Sequence, residues 1–296
     1  MRSIDAVRHA VVVGDDGSSV SQAAVLWAAE EARLRGRRLL IVHVDRRDGS
    51  GRDHDAALTR ELLLNASAQA ASQREPTVIV GTLLLRGRAA ESLLDVTRSA
   101  TMLVVGNAHG GRWLGRNSNS VTHRLTSSGL CNVVTVSRRP RFDTAACNQI
   151  LAIWASDAAR AGVLAAAAEE AQLRKAGLTV ALPAPSLSSS RSQLEVADYQ
   201  AAAGDLAQLA ERYPALAVTI DGIDPTSVSA VNSALSLSCL AVIGYRRAGG
   251  PMKPRTADLA DGVLRQATCP LMFPHRRSGR AASGVAAPSV DPKKNS

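Results

Sequence analysis

Short apolar runs and longer amphipathic stretches follow one another along the chain, and their lengths predict strands and helices in turn. Residues 10–14 (AVVVG) form a run rich in valine, of the kind found in strands that are buried on both faces. Residues 18–36 begin with serines suited to a helix N-cap and end at Gly36, which predicts a helix. Residues 39–44 (LLIVHV) predict the second strand.

The same alternation continues to about residue 136. It predicts helices over 57–72, 89–100 and 120–129, and strands over 77–84, 102–106 and 132–136. Strands that alternate with helices are typical of a parallel sheet with right-handed crossovers and helices on both faces. The pattern therefore predicts a doubly wound, Rossmann-like α/β fold.

The chain also repeats itself at a nearly constant offset. Residues 28–39 (AAEEARLRGRRL) match residues 167–178 (AAEEAQLRKAGL) at an offset of 139. Residues 103–111 (LVVGNAHGG) match residues 241–250 (AVIGYRRAGG) at an offset of 138. The segments SSGLCNVVTV and RQATCPLMFP follow in the same order. Blocks that recur in one order predict a duplicated domain.

The repeat predicts two tandem domains over residues 8–137 and 148–275, separated by the polar stretch at 137–149. The final strand of each domain is apolar and has to be covered, so we expect the domains to pack as an intramolecular pseudo-dimer. Residues 276–296 are rich in Ala, Ser, Pro and Lys, which predicts a disordered tail.

Composition and charge exclude several classes of partner. The net charge of the 296-residue chain is +9, but aromatic residues make up only 3% and no basic helix is interleaved with them, so we expect no nucleic-acid partner. No apolar run approaches about eighteen residues, so we expect no membrane partner. The N-terminal residues lack the apolar core of a signal peptide, and a cytoplasmic location is expected. The four cysteines lack the spacing of a metal site.

Three segments predict where a ligand would bind. In open parallel sheets, ligands lie beyond the carboxyl ends of the strands, where the strand order reverses. The segments that follow such ends here are GDDGS at 14–18, the end of IVHV at 41–44, and the loop after LVVG at 103–106. They form one site only in the predicted fold.

On these residues the chain resembles the universal stress protein family in its tandem two-domain form. The segments VVVGDDGSSVSQAAVLWAAEEARLRG, LLIVHV, GRAAESLLDVTRSATMLVVGN and SVTHRLTSSGLCNVVTV carry the resemblance, which extends from about residue 8 to residue 275. The resemblance implies an adenine-nucleotide site in members that keep the pattern Gly-x2-Gly-x9-Gly-Ser. It also implies dimer-like pairing of domains through the final strands, and it leaves a homodimer of whole chains open.

The resemblance implies a set of binding residues in the first domain. They are Gly14, Asp15, Asp16, Val44, Gly106, His109, Asn119, Ser120 and Val121. Asp16 and Val44 would lie on the adenosine side of bound ATP, and Gly106, Ser120 and Val121 on the phosphate side.

Two of the three glycines of the family pattern are replaced, by His109 and Asn119. Forcing a side chain into the left-handed backbone region costs roughly 1–2 kcal/mol, so we expect ATP binding that is weakened or lost. Asparagine tolerates this conformation better than most residues, and His109 can supply charge to a phosphate.

The second domain departs further from the pattern. Ile153 stands at the position of Gly14, Ala155 at that of Asp16, and Arg247 at that of the second glycine. Ala257 and Asp258 replace the Gly-Ser pair. We expect no nucleotide in this domain.

Catalytic signals are weak. The sequence GxxxxGK[ST] occurs nowhere, and His43, His109 and His123 show no evident Ser–His–Asp arrangement. Asp15 and Asp16 are the candidate carboxylates for Mg²⁺. We therefore expect a non-catalytic stress-response or signalling protein that senses adenine nucleotide. A ligand-free structural or interaction protein and a low-turnover nucleotide hydrolase are the alternatives.

Overall fold

Strands and helices alternate along the chain in a computed structural model of the protein. The structure describes residues 7–45, 54–107, 121–128, 130–137, 148–154, 157–182, 193–223, 228–244 and 267–275. The predictions made for His109, Asn119, Ser120 and the tail from residue 276 lie outside the described residues.

The first half of the chain follows the predicted order of elements. Its strands are β1 (Val11–Gly14), β2 (Leu39–Asp45), β3 (Val80–Arg86), β4 (Met102–Asn107) and β5 (Asn132–Ser137). Its helices are α1 (Ser19–Leu34), α2 (His54–Arg74), α3 (Ala89–Thr97) and α4 (Val121–Ser128).

Strand β3 begins later than the predicted strand at 77–84. Pro76 and Thr77 lie in a turn in which the amide of Val78 donates to the carbonyl of Glu75 at 3.1 Å. Proline favours such a turn because its ring fixes φ. Val78 is therefore an apolar residue of the turn that is buried in the core, and not part of a strand.

The second half repeats the same alternation. Its strands are β6 (Gln149–Trp154), β7 (Gly177–Leu182), β8 (Val218–Gly222), β9 (Leu240–Gly244) and β10 (Leu271–Phe273). Its described helices are α5 (Asp157–Arg174), α6 (Gln193–Arg212) and α7 (Val228–Ser236). None of the helices in the described part of the chain is long and apolar enough to span a bilayer.

All ten strands form one sheet in the order β3-β2-β1-β4-β5-β10-β9-β6-β7-β8. Every neighbouring pair is parallel except β5 and β10, which are antiparallel. Within each half the strand order reverses beside the first strand. The prediction of a doubly wound α/β fold with a mostly parallel sheet is confirmed.

The repeat in the sequence is also a repeat of hydrogen-bond register. Gly14 pairs with Val42 on one side and with Val105 on the other. Ile153 pairs with Ala181 and Ile243, which are the residues that the repeat assigns to these two positions. The two five-stranded halves of the sheet therefore have the same register, residue for residue, at their centres.

The apolar core has one large layer and two smaller ones. The large layer lies under α1, α2, α5 and α6 and is continuous across both halves. On the opposite face of the sheet, each half has a separate smaller cluster. Alanines dominate the buried faces of α1 and α5, so these helices lie close to the sheet.

Candidate functional site

The loop between β1 and α1 is fixed by its own side chains. The Asp15 carboxylate accepts a hydrogen bond from the amide of Gly17 at 2.9 Å, and the Asp16 carboxylate accepts one from the amide of Ser18 at 3.0 Å. The Ser18 hydroxyl then caps α1 by accepting from the amide of Ser21 at 3.1 Å. Gly17 has φ +81°, and a Cβ there would lie 2.5 Å from a Leu63 methyl group. Glycine is therefore required at this turn.

Asp15 ties this loop to two helices. Its Oδ1 accepts from the Ser21 hydroxyl of α1 at 2.6 Å, and its Oδ2 accepts from the Ser67 hydroxyl of α2 at 2.6 Å. The residue is only 3% exposed. Both carboxylate oxygens are thus engaged inside the protein, and Asp15 holds the loop in place.

Asp16 is the exposed carboxylate of the pair. Partial desolvation acts to raise the pKa of Asp16, but hydrogen bonds from the hydroxyl and amide of Ser18 outweigh it and hold that pKa below its ordinary value. Asp16 therefore carries its negative charge at neutral pH at the carboxyl edge of the sheet.

The end of β2 contributes His43 and Val44. The Nδ1 atom of His43 lies 2.7 Å from the backbone carbonyl oxygen of Asp15. Because a carbonyl only accepts, this contact assigns the proton to Nδ1. Val44 is partly buried and packs against the smaller core cluster of the first half. The sequence analysis assigns His43 no role in the site. Its place at the end of the strand IVHV, which is grouped there with GDDGS, is the signal that could have identified it.

Gly106, at the end of β4, allows α1 to approach the sheet closely. A Cβ at Gly106 would lie 2.9 Å from the backbone carbon of Val20 and 3.0 Å from the amide nitrogen of Ser21. Glycine is required here by helix–strand packing. Val121 begins α4 and is partly buried against the core cluster of the first half.

The structure brings five of the predicted site residues to one place. Strand β1 lies between β2 and β4, so the residues that follow or end these strands share one carboxyl edge at the switch in strand order. They are Gly14, Asp15, Asp16, Val44 and Gly106. Within the described residues, no group of three His, Cys, Asp or Glu is arranged to hold a metal ion.

In the second half, the first two helices are linked by an ion pair and not through a shared aspartate. Arg160 stands at the repeat position of Ser21, and Asp205 at that of Ser67. The Nε of Arg160 lies 2.5 Å from the Oδ2 of Asp205, so α5 and α6 are joined by a direct ion pair. Trp154 stands at the position of Asp15. Ile153 occupies the position of Gly14 as predicted, while Ala155, Arg247, Ala257 and Asp258 lie outside the described residues.

Comparisons with known proteins show which family and which fold the chain is similar to. Residues 8–137 match the model of the universal stress protein family. Universal stress protein Rv3134c of Mycobacterium tuberculosis is 35% identical over 169 residues, which cover 56% of this chain and 62% of that protein. Universal stress protein Rv2623 of the same organism is 30% identical over 140 residues, which cover 43% of this chain and 46% of that protein. The matches thus span less than two-thirds of each relative's length.

A solved structure shares the fold over most of the chain. The crystal structure of a universal stress protein from Archaeoglobus fulgidus covers 89% of this chain and 97% of its own, with a TM-score of 0.65 and 13% identity. At that identity the likeness supports the fold alone. Over residues 8–137, the chain is therefore similar to members of the universal stress protein family.

Proposed function

We propose that this chain is a universal stress protein, a non-catalytic stress-response protein that binds one adenine nucleotide, ATP, in its first half. The observation that carries the proposal is the shared carboxyl edge of β1, β2 and β4, where Asp16, Val44 and Gly106 lie at the switch in strand order. The charged, exposed Asp16 and the partly buried Val44 offer a polar and an apolar contact to a nucleoside.

Different residues of the site would contact the adenosine and the phosphates. Asp16 and Val44 would contact the adenosine. Val121, the first residue of α4, and Ser120, which precedes it in the sequence, would lie beside the phosphates, which helix N-termini attract. Gly106 would keep β4 and α1 close together. Asp15 would hold the loop through its serine contacts without touching the nucleotide.

We also propose that the chain consists of two universal stress protein domains in tandem, over residues 8–137 and 148–275. Two observations support this division. The five strands of each half have the same order, and the register at Gly14 recurs at Ile153. The ligand would be confined to the first domain, because the second has Ile153 and Trp154 in place of Gly14 and Asp15.

Isothermal titration calorimetry of the full chain with ATP tests the proposal. We expect one site per chain and a loss of binding in the Asp16→Ala, Ser120→Ala double variant. Asp221→Ala, which removes an exposed carboxylate from β8 in the second half, is the matched control and should bind as wild type does. Two equivalent sites, or unchanged binding in the double variant, would contradict the assignment.

The alternatives give different results in the same experiments. A ligand-free interaction protein is favoured by the internal roles of Asp15 and Gly106, which explain both residues without a nucleotide. It predicts no heat of ATP binding and no thermal shift with ATP, ADP or cyclic AMP, with or without Mg²⁺. A low-turnover hydrolase predicts formation of product above the level of an Asp16→Ala control.

A further inference from the structure

Basic residues are concentrated at the amino edge of the first half of the sheet, where β1, β2 and β4 begin. Arg8 and His9 precede β1, Arg37 and Arg38 precede β2, and Arg98 ends α3 shortly before β4. All five residues are exposed. The three strands are neighbours in the order β2-β1-β4 and lie about 5 Å apart. These five residues, called the basic edge below, therefore lie at the end of the sheet opposite the proposed nucleotide site.

Backbone contacts hold the three basic segments against each other. The amide of Val11 donates to the carbonyl of Arg38 at 3.0 Å, and the amide of His9 donates to that of Ser99 at 3.0 Å. The Thr101 hydroxyl donates to the carbonyl of His9 at 3.0 Å. The segment before β1 is therefore bonded to the segments before β2 and β4, and the basic edge is one continuous surface.

His9 has a left-handed backbone in the middle of this surface. Its φ is +59°, a conformation that is uncommon outside glycine. The amide of Ala10 donates to the carbonyl of Val7 at 3.0 Å, and that of His9 is engaged with Ser99, so this turn presents side chains and not these two amides to an incoming anion. Backbone strain that persists in a folded protein is concentrated at functional sites.

Three of the arginines lack an acidic partner. Within the described part of the chain, no carboxylate lies within ion-pair distance of Arg8, Arg37 or Arg38. Arg98 pairs with Asp95 at 3.6 Å, but both side chains are largely exposed, and such a pair contributes little. Arg98 can therefore exchange Asp95 for another anion.

Other arginines near this edge are already paired. Arg33 pairs with Glu75 at 2.9 Å. Arg35, at the end of α1, belongs to a largely buried cluster of charges at the junction of the two halves, whose other members are Glu31, Glu170 and Arg174. In that cluster each arginine contacts both glutamates. The excess of positive charge is therefore confined to the basic edge.

The repeat shows that the fold does not require this charge. In the second half the five positions are occupied by uncharged residues, which are Cys147, Asn148, Ala176, Gly177 and Ser236 in chain order. The second half nevertheless has the same strand order and the same central register. The arginines of the basic edge therefore serve something other than folding.

We propose that the basic edge binds a linear chain of phosphates, namely inorganic polyphosphate. Guanidinium groups stay charged and bind phosphate oxygens through two parallel hydrogen bonds. The groups come from three adjacent strands and thus span roughly 10 Å, which suits several consecutive phosphates better than a single one.

Polyphosphate fits this surface better than a nucleic acid does. Nucleic-acid surfaces of this kind also carry aromatic side chains on which bases stack. Among the described residues, the aromatic side chains of Trp27, Tyr213 and Phe273 are buried. A phosphate chain has no bases and needs no such platform. The proposal does not depend on nucleotide binding at the other end of the sheet.

Fluorescence anisotropy of labelled polyphosphate with the full chain tests the proposal. The variant Arg37→Ala, Arg38→Gly, Arg98→Ser introduces the residues that the second half has at these positions, so we expect it to fold. Each lost contact should weaken binding about fivefold, and the triple variant should bind polyphosphate roughly 100-fold more weakly than wild type at about 0.15 M salt.

Two control variants separate the basic edge from net charge and from the nucleotide site. Arg86→Ala, Arg88→Ala, Lys175→Ala removes three positive charges from elsewhere and should bind polyphosphate within about twofold of wild type, because distant exposed charges are screened. Asp16→Ala, Ser120→Ala should bind polyphosphate as wild type does, even if it binds no ATP. The variant of the basic edge should retain whatever ATP affinity wild type has.

Several outcomes would overturn the proposal. Wild type may show no binding of polyphosphate, or the two triple variants may lose the same affinity, which would mean that net charge alone attracts the polymer. Tighter binding to single-stranded RNA of equal phosphate number, or to phosphatidylserine vesicles, would assign the edge to another partner. If the triple variant does not fold by thermal denaturation, Arg37→Gln, Arg38→Gln replaces it, and unchanged binding in that variant also contradicts the proposal.

Discussion

Lys175 occupies, at the end of α5, the left-handed backbone position that Gly36 occupies at the end of α1. Their φ angles are +56° and +58°. The amide of Gly36 donates to the carbonyl of Arg33 at 3.0 Å, and the amide of Lys175 donates to that of Gln172 at 3.1 Å. Both helices therefore end with a residue in the left-handed conformation that usually selects glycine, but in the second half this residue is a lysine.

Replacing this lysine with glycine should stabilise the protein. Lys175→Gly removes the contact of Cβ with the backbone that disfavours left-handed conformations, and we expect a gain of about 1 kcal/mol in the free energy of unfolding. Urea denaturation measures it. Lys175→Ala retains the Cβ and is the control, so a glycine variant no more stable than the alanine variant would contradict the prediction.

Gly106 should not tolerate a methyl group, whereas Gly162 should. Gly106→Ala places a Cβ 2.9 Å from the backbone of Val20, and we expect a loss of about 1–3 kcal/mol in unfolding free energy. Gly162 lies within α5, where an added Cβ meets nothing within 4 Å, and Gly162→Ala should gain about 0.5–1 kcal/mol. Denaturation of the two variants under the same conditions measures both changes. If the two substitutions change the unfolding free energy in the same direction, the prediction is wrong.

We expect an ion pair to replace Asp15 as the link between α1 and α2, but not as the residue that holds the binding loop. Asp15→Ala leaves the buried Ser67 hydroxyl without its acceptor, which costs about 1–3 kcal/mol, and leaves the Ser21 hydroxyl only the carbonyl of Ser18 as acceptor. Adding Ser21→Arg and Ser67→Asp copies the ion pair that Arg160 and Asp205 form in the second half.

The triple variant should therefore recover most of the lost stability. Its ATP affinity should stay low, because nothing holds Gly17 and the rest of the loop. Thermal denaturation and calorimetry on the same samples separate the two effects. If stability and affinity recover together, Asp15 acts through the fold alone; if wild type shows no ATP binding, the proposed function fails and the stability result still stands.

Cys131 should resist alkylation in the folded protein. Burial raises the pKa of Cys131 to about 11, although hydrogen bonds involving Thr97 and the backbone of Leu103 act to lower it. At pH 8 roughly one thiol in a thousand is then ionised, and the thiolate is the reactive form. Peptide mass spectrometry after iodoacetamide treatment should find Cys131 unmodified in buffer and modified in urea. Equal labelling in both solutions would show that the thiol is accessible.

Restoring the family's glycines should strengthen nucleotide binding. The resemblance to the family predicts a left-handed backbone at positions 109 and 119, where a side chain costs about 1–2 kcal/mol, so ATP affinity of the His109→Gly, Asn119→Gly variant should rise roughly tenfold or more. Calorimetry of the variant beside wild type measures the change. If His109 itself binds phosphate, the variant will instead bind more weakly, and most clearly at low pH, where the imidazole is charged.

The order of strands and helices could be predicted from the sequence because the apolar pattern is strong and local. The predicted start of β3 is wrong because the apolar run begins at Val78, within the turn that contains Pro76 and Thr77, whereas the strand begins only at Val80. The role of Asp15 could not be predicted, since its partner Ser67 lies 52 positions away.

The buried charges at the junction were partly visible in the sequence. The motif Glu-x3-Arg stands inside the repeat that predicted duplication, at Glu31 and again at Glu170. Its pairing across the halves was not visible, because Glu31 and Arg174 are 143 positions apart and only the sheet brings them together.

The strand that covers β5 is the last strand of the sheet to leave the ribosome. At about 5–20 residues per second, roughly 7 to 30 seconds separate the emergence of Ser137 from that of Phe273. Throughout this interval the nascent first half exposes an apolar strand edge beside the Glu31–Arg35 pair, which still lacks its contacts with Glu170 and Arg174. An uncovered apolar edge is a template for pairing with another chain, so the rate of translation sets how long nascent first halves on one messenger stay exposed to one another.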